Sequence, residues 1–465
     1  MGDSVHKLMT IVMESLDKSS PHREVSTERL EAIVFLLYGS LKLQGRFFHS
    51  VEHAISLVRE GHAELSLAAL FHDLVYYQID GGLPDEIAEL LTPYIIERPD
   101  QRSASGVYLR EVLPDDELTR ANLALFNFKE GQELCLFHGL NELLSSLVMC
   151  ATLSDLLPIK SLIKMITYLE ATIPFRGAHQ GALSESKAGP FELLERRLRS
   201  LNSERALGFS EEELQETIRE AVWISNQDVL NFSEPDVRDF LDNTWDLIPE
   251  TNLSLRRSGL YTVRDYRFAI QKMCSFFEML NPASVFHQHL GEPKDERFDE
   301  LNERAASNIS IAKRYLRVKL LTASILEAFA LSTGGDCPIS FLMGELPREG
   351  HDPKRLEHHL PLIEPSVAAE RAALDPDVWL LLDKGRNRES VFDLKRAPLA
   401  LLVYTQCSVD ELDELTHRAR GVHQGDLSPA ELLDALPRAL RVAIAQGLWE
   451  MAPSRRAQLE RLISA

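Results

Sequence analysis

The feature that most constrains this chain is the spacing of its apolar residues. They recur every three to four positions almost everywhere, as in ERLEAIVFLLYGSLKL (28–43), NELLSSLVMCATLSDLL (141–157) and ERAASNISIAKRYLRVKLLTASILEAFALS (303–332). That period gathers them on one face of an α-helix, whereas a half-buried strand needs alternation by two, which is nearly absent. The expected fold class is therefore all-α. At 465 residues the chain also exceeds the roughly 250–300 at which one hydrophobic core stops growing, so two domains, or one large domain with an appendage, are expected. Breakers mark the joints: RGAHQGALSESKAGP (176–190) reads as an inserted loop, and STGGDCP (332–338) with GELPREGHDP (344–353) as a boundary. We expect a helical domain over 1–333 and a C-terminal helical region over 334–465. The short helices of that region carry their own start signals, SVDELDEL and SPAELLDAL. It has no chemical signature, and its helices could serve oligomerisation.

Charge and cysteine usage narrow the function classes. Lys and Arg total 50 against 71 Asp and Glu, a net charge of −21, which repels a polyphosphate backbone and argues against a nucleic-acid polymer as partner. Cys135, Cys150, Cys274, Cys337 and Cys407 show no CxxC spacing, the pattern of free thiols in a reducing compartment. The N-terminal stretch lacks a signal peptide's apolar run and cleavage site, and no stretch approaches the roughly 20 apolar residues of a membrane span. A cytoplasmic protein without a membrane partner is expected.

Chemistry concentrates in two fragments, FFHSVEHAISLV (47–58) and SLAALFHDLVYYQ (66–78). On a helix His49 and His53, four apart, would project from one face. His72–Asp73 follows an apolar run that should be a buried helix, and a buried carboxylate beside an imidazole is costly without a charged or hydrogen-bonded partner. A divalent cation is the economical partner, since imidazole and carboxylate suit first-row metals. The stretch between His53 and His72 has room for a helix, a turn around Gly61 and most of a second helix, so the groups can converge. A further acidic ligand should come from downstream. Asp155, in CATLSD, stands at a helix end, where the dipole disfavours a negative charge without a positive neighbour. Asp228 follows a capping-box start at Ser210 and Glu213 and, on steps of about 100°, falls near the face of Leu214, Ile218, Ala221, Ser225 and Phe232. Asp228 is favoured as ligand; Asp155 could line the site.

The order H…HD…D resembles the HD-domain metal-dependent phosphohydrolase superfamily, and FHSVEHAISLV is similar to the YHNxxHAxxV motif of its cyclic-nucleotide phosphodiesterases. The resemblance covers residues 45–80, then ATLSD (151–155) and NQDV (226–229). It implies an HD-type helical core in which His53, His72, Asp73 and Asp228 are the metal ligands. His49 matches the histidine that acts as general acid, so His49 and Asp73 stand at the reacting centre. One divalent cation (Mn, Mg, Fe, Co or Zn) is implied, with a second reachable through a bridging Asp73. The chain departs from the phosphodiesterases in reading HDLVYYQ where they carry a further histidine and Pro-Gly, and in Ser50 where they carry asparagine. Only His138 lies between Asp73 and Asp155, so a second imidazole pair is not implied.

The activity this implies is hydrolysis of a phosphoester of a small metabolite or nucleotide by metal-activated water, with His49 donating a proton to the departing oxygen. The alternatives are a cyclic-nucleotide phosphodiesterase and a non-catalytic regulatory or scaffold protein retaining the core. Local positive charge for the phosphate would come from Arg46, Lys160, Lys164 or Arg176, with Asn226 beside Asp228 as a further lining residue. Gln271 could occupy the place of the phosphodiesterases' base-recognising glutamine.

Overall fold

The computed structural model describes residues 2–98, 105–135, 138–175, 188–347 and 350–464. Among these the architecture is all-α, as the apolar spacing requires. The strands are limited to one antiparallel pair, Ile95–Glu97 with Val107–Leu109. No helix of the described residues is long and apolar enough to cross a membrane.

The chain forms two compact units. The first comprises Met1–Ser233 with Asn281–Ala305, and the second Glu234–Leu280 with Ala306–Ala465. This differs from the division expected at residue 333. Gly334 and Gly335 do follow the end of helix Asp295–Thr333, but a breaker ends an element without ending a core. Leu321, Ile325 and Phe329 of that helix share a buried cluster with Leu399, Leu402, Leu415, Leu440 and Ile444. The C-terminal region is thus part of a larger unit that takes in the second half of the long helix.

In the first unit, helix Ile159–Ala171 is buried along nearly its whole length and packs against helices Ala63–Phe71, Leu140–Leu153 and Glu211–Asp228. A helix so placed must pair every polar group it buries. Thr167 donates to the Ile163 carbonyl, and Glu170 meets Arg197 at 2.6 Å. The Tyr168 hydroxyl donates to Glu220, whose other oxygen lies 2.5 Å from His62 Nδ1. That cluster ties the start of Ala63–Phe71 to the middle of Glu211–Asp228, the two helices that lead into His72–Asp73 and Asp228.

Candidate metal centre

Four side chains converge in the first unit: His53, His72, Asp73 and Asp228 each offer one ligand atom, and these atoms all lie within 4.8 Å of one another. Their convergence follows from local structure. Ser50 caps the short helix Val51–Ser56, its Oγ accepting from His53 N at 3.4 Å, so the His53 ring stands in the first turn. Gly61, at φ +86°, makes a left-handed turn that a Cβ would strain. Helix Ala63–Phe71 then runs with Leu65 to Phe71 all buried and stops at His72. Asp228 is the last residue of helix Glu211–Asp228, whose Ser210–Glu213 capping box forms as expected. The expected face through Leu214, Ile218, Ala221 and Ser225 is buried; Phe232, also buried, lies beyond the helix in the turn Leu230–Ser233. The helix therefore ends at the carboxylate itself, where the carbonyl dipole demands a positive partner.

The hydrogen-bond pattern defines what kind of partner. His72 Nδ1 lies 2.7 Å from the Ala69 carbonyl, which can only accept, so Nδ1 carries a proton and Nε2 of the neutral ring presents a lone pair. That Nε2 is 2.8 Å from Asp73 Oδ2 and 3.4 Å from Asp228 Oδ1. The shorter contact is off the direction a hydrogen bond requires, and both His72 Nε2 and Asp73 Oδ2 are buried without a hydrogen-bond partner. His53 Nε2 meets Asp228 Oδ1 at 3.0 Å and Asp73 Oδ2 at 3.7 Å. Acceptors crowded this closely need a shared cation or a proton. Burial opposes the imidazolium, yet Asp73 and Asp228 together hold His72 well above the usual imidazole range. Burial likewise opposes the carboxylates, and His72 with His49 and His53 still holds Asp73 below its ordinary value, as His53 and His72 do Asp228. The donor set, two imidazoles and two carboxylates with a backbone-oriented His72, fits a divalent first-row cation.

His49 is close to this cluster but not where helical spacing would put it. It precedes the Ser50 cap and is outside the helix, so the two histidines do not stack along one face. Their rings are 6.2 Å apart at 87°, and the His49 ring lies 4.3 Å from that of Tyr76. His49 is still near enough to Asp73 to stabilise its charge.

The expected lining residues are placed differently. Arg46 is wholly buried, bonding Asp80 and the Asp73 and Leu74 carbonyls; its guanidinium is used up in the fold and does not face a substrate. Asp155 is 57% exposed and pairs with Arg29 at 3.0 Å. Arg29 also donates to the Thr152 carbonyl, so it is the positive neighbour that a carboxylate at that helix end needs, and Asp155 takes no part in the cluster. Asn226 exchanges two hydrogen bonds with the His287 backbone, 2.8 and 2.9 Å, an anchor for the returning segment. Lys160 and Lys164 pair with Glu213 and Glu64. Gln271 belongs to the second unit, where it accepts from Arg267, a tie that accounts for it without base recognition. Arg176 lies outside the described residues, as does most of the loop 176–190.

Sequence reasoning missed the supports of the segment after Asp73. Ser145 Oγ accepts from Val75 N and Asn141 Oδ1 from Tyr77 N, each at 3.0 Å. The signal was present: Asn141 and Ser145, four apart in the largely apolar NELLSSLVMC, fall on one face of a buried helix. Comparison of the chain with protein-family models, curated proteins and solved structures returns no match.

Proposed function

We propose that the chain is a metal-dependent phosphohydrolase of HD type acting on a small phosphorylated substrate. One observation carries the reading: His72 Nε2 and Asp73 Oδ2, buried and without hydrogen-bond partners, face each other at 2.8 Å beside His53 and Asp228. A structural ion pair would be directed and satisfied; a ligand set points its lone pairs at a common position. A divalent cation held by His53, His72, Asp73 and Asp228 would supply Lewis acidity and an activated water as nucleophile near neutral pH. Asp73 and Asp228 stay ionised and neutralise the cation, while the Ala69 carbonyl fixes the His72 tautomer and ring direction. His49, half-buried at the margin of the cluster, carries a proton to the departing oxygen as general acid. A cytoplasmic setting belongs to this reading, supported by five free thiols.

Metal analysis of the purified protein, followed by turnover of a phosphoester panel with manganese, magnesium, iron and cobalt, tests the proposal. Stoichiometric metal lost in His72→Ala, with metal-dependent release of phosphate or a phosphomonoester, is the expected result. Protein that takes up no divalent metal would sink the reading and leave a scaffold. Hydrolysis confined to cyclic nucleotides would replace it with a phosphodiesterase.

A further inference from the structure

We propose that the buried Arg46–Asp80 pair is a positioning unit that aims both Asp73 and His49, a role that rests on the metal-site reading above. Arg46 Nε and Nη2 meet the two Asp80 oxygens at 3.0 and 2.6 Å, with side-chain exposures of 0% and 3%. Two further donors of the fork go to backbone: Nη1 to the Asp73 carbonyl and Nη2 to that of Leu74 at 3.1 Å. Asp80 Oδ2 also accepts from the Tyr76 N–H at 3.4 Å, and the Tyr76 ring rests 4.3 Å from the ring of His49. One ion pair thus grips the chain at Asp73–Leu74, at Tyr76 and at the end of the turn Tyr77–Asp80. Arg46 itself stands three residues before His49.

Burying two charges carries a desolvation cost that their attraction barely offsets, and a well-packed apolar pair is commonly at least as stable. Stability alone is therefore a poor reason for this pair. A planar guanidinium differs from an apolar contact in fixing direction: its N–H bonds set the planes of the peptides after Asp73 and Leu74, and with them the direction of the Asp73 carboxylate. A lysine keeps the charge but lacks the fork. The same grip holds Tyr76 as the wall behind His49, so ligand and proton donor share one support.

Two variants test the role, Arg46→Lys and the double change Arg46→Met with Asp80→Leu. The readouts are manganese affinity by direct titration, the visible spectrum of the cobalt-loaded protein, and melting of the metal-free protein. We expect the double variant to fold but to melt below wild type, because it leaves the Asp73 and Leu74 carbonyls without their donor, so the metal readouts carry the test. In both variants the manganese Kd should rise roughly 10- to 100-fold, with an altered cobalt spectrum. A merely structural pair would move the melting temperature and leave affinity and spectrum alone; wild-type manganese affinity in either variant overturns the proposal. At saturating manganese, turnover of the double variant should remain at least about tenfold down, because His49 has lost its wall; full turnover would remove the His49 half of the role. Wild type that binds manganese but cleaves no phosphoester would remove the activity and leave the positioning role, whereas wild type that binds none removes both.

Discussion

His49 and His53 illustrate how unequal two neighbouring histidines can be. His53 stands within ligand distance of Asp228, and His49 lies outside the helix against Tyr76. His53→Ala should abolish metal binding and turnover together. His49→Ala should keep the metal and lose roughly a hundred- to ten-thousandfold in turnover, the usual worth of a general acid; titration alongside kinetics separates the two, and equal metal loss would make His49 a ligand. Protonation gives a second test at this scale. Burial opposes it, yet Asp73 and Asp228 raise His72 well above its ordinary pKa, so a proton on Nε2 competes with a cation for the cluster. Apparent manganese affinity should therefore climb about tenfold per pH unit up to the raised His72 value. For the metal-free fold the signs divide. The His72 contribution is complete below about pH 6.5 and fades as pH rises through its folded value, whereas those of Asp73 and Asp228 are complete above about pH 4 and fade as pH falls through their lowered values. Titrations between about pH 6 and 8 check this, and an affinity flat with pH would mean His72 is neutral in the metal-free protein.

At the scale of elements, the site hangs on where two helices stop and on a third that braces the segment after Asp73. Ala63–Phe71 ends at His72, Glu211–Asp228 ends on Asp228, and Leu140–Leu153 holds the segment after Asp73 through Asn141 and Ser145. Ser145→Ala leaves the Val75 N–H buried without its acceptor and should cost about 1–3 kcal/mol. The check is chemical denaturation together with amide exchange at Val75, which should lose protection first. The helices themselves were legible, because their periodicity and caps are local: Ser210 with Glu213, and the apolar run before His72, formed as read. Their ends were less so. Asp228 projects from a continuing helix on paper, yet the helix stops there; His49 shares helical spacing with His53, yet Ser50 captures the His53 N–H and starts the helix after it.

For the molecule as a whole, the division into units carries a consequence for truncation. A fragment ending at residue 333 would strip Leu321, Ile325 and Phe329 of their partners at Leu399, Leu402 and Ile444. Such a fragment should bind a hydrophobic dye and be cleaved by protease within 306–333, while the full chain resists both; a fragment as resistant as the full chain would restore the boundary at 333. Glycine-rich breakers mark the ends of elements, but which elements share a core depends on apolar contacts between residues far apart in the chain.

What is set within a few residues could be read from the sequence: an all-α chain from its apolar period, helix starts from its caps, and imidazole and carboxylate groups costly to bury without a charged or hydrogen-bonded partner. The His53, His72, Asp73 and Asp228 convergence was legible because a resemblance in order supplied what spacing could not. Only the tertiary structure decided the fate of the charges around them. Arg46, Asp155, Lys160 and Lys164 were each a candidate for substrate, and each is tied to a carboxylate or arginine from elsewhere in the chain. A charge takes the nearest opposite partner in space, and that partner's position in the sequence carries no trace of the pairing.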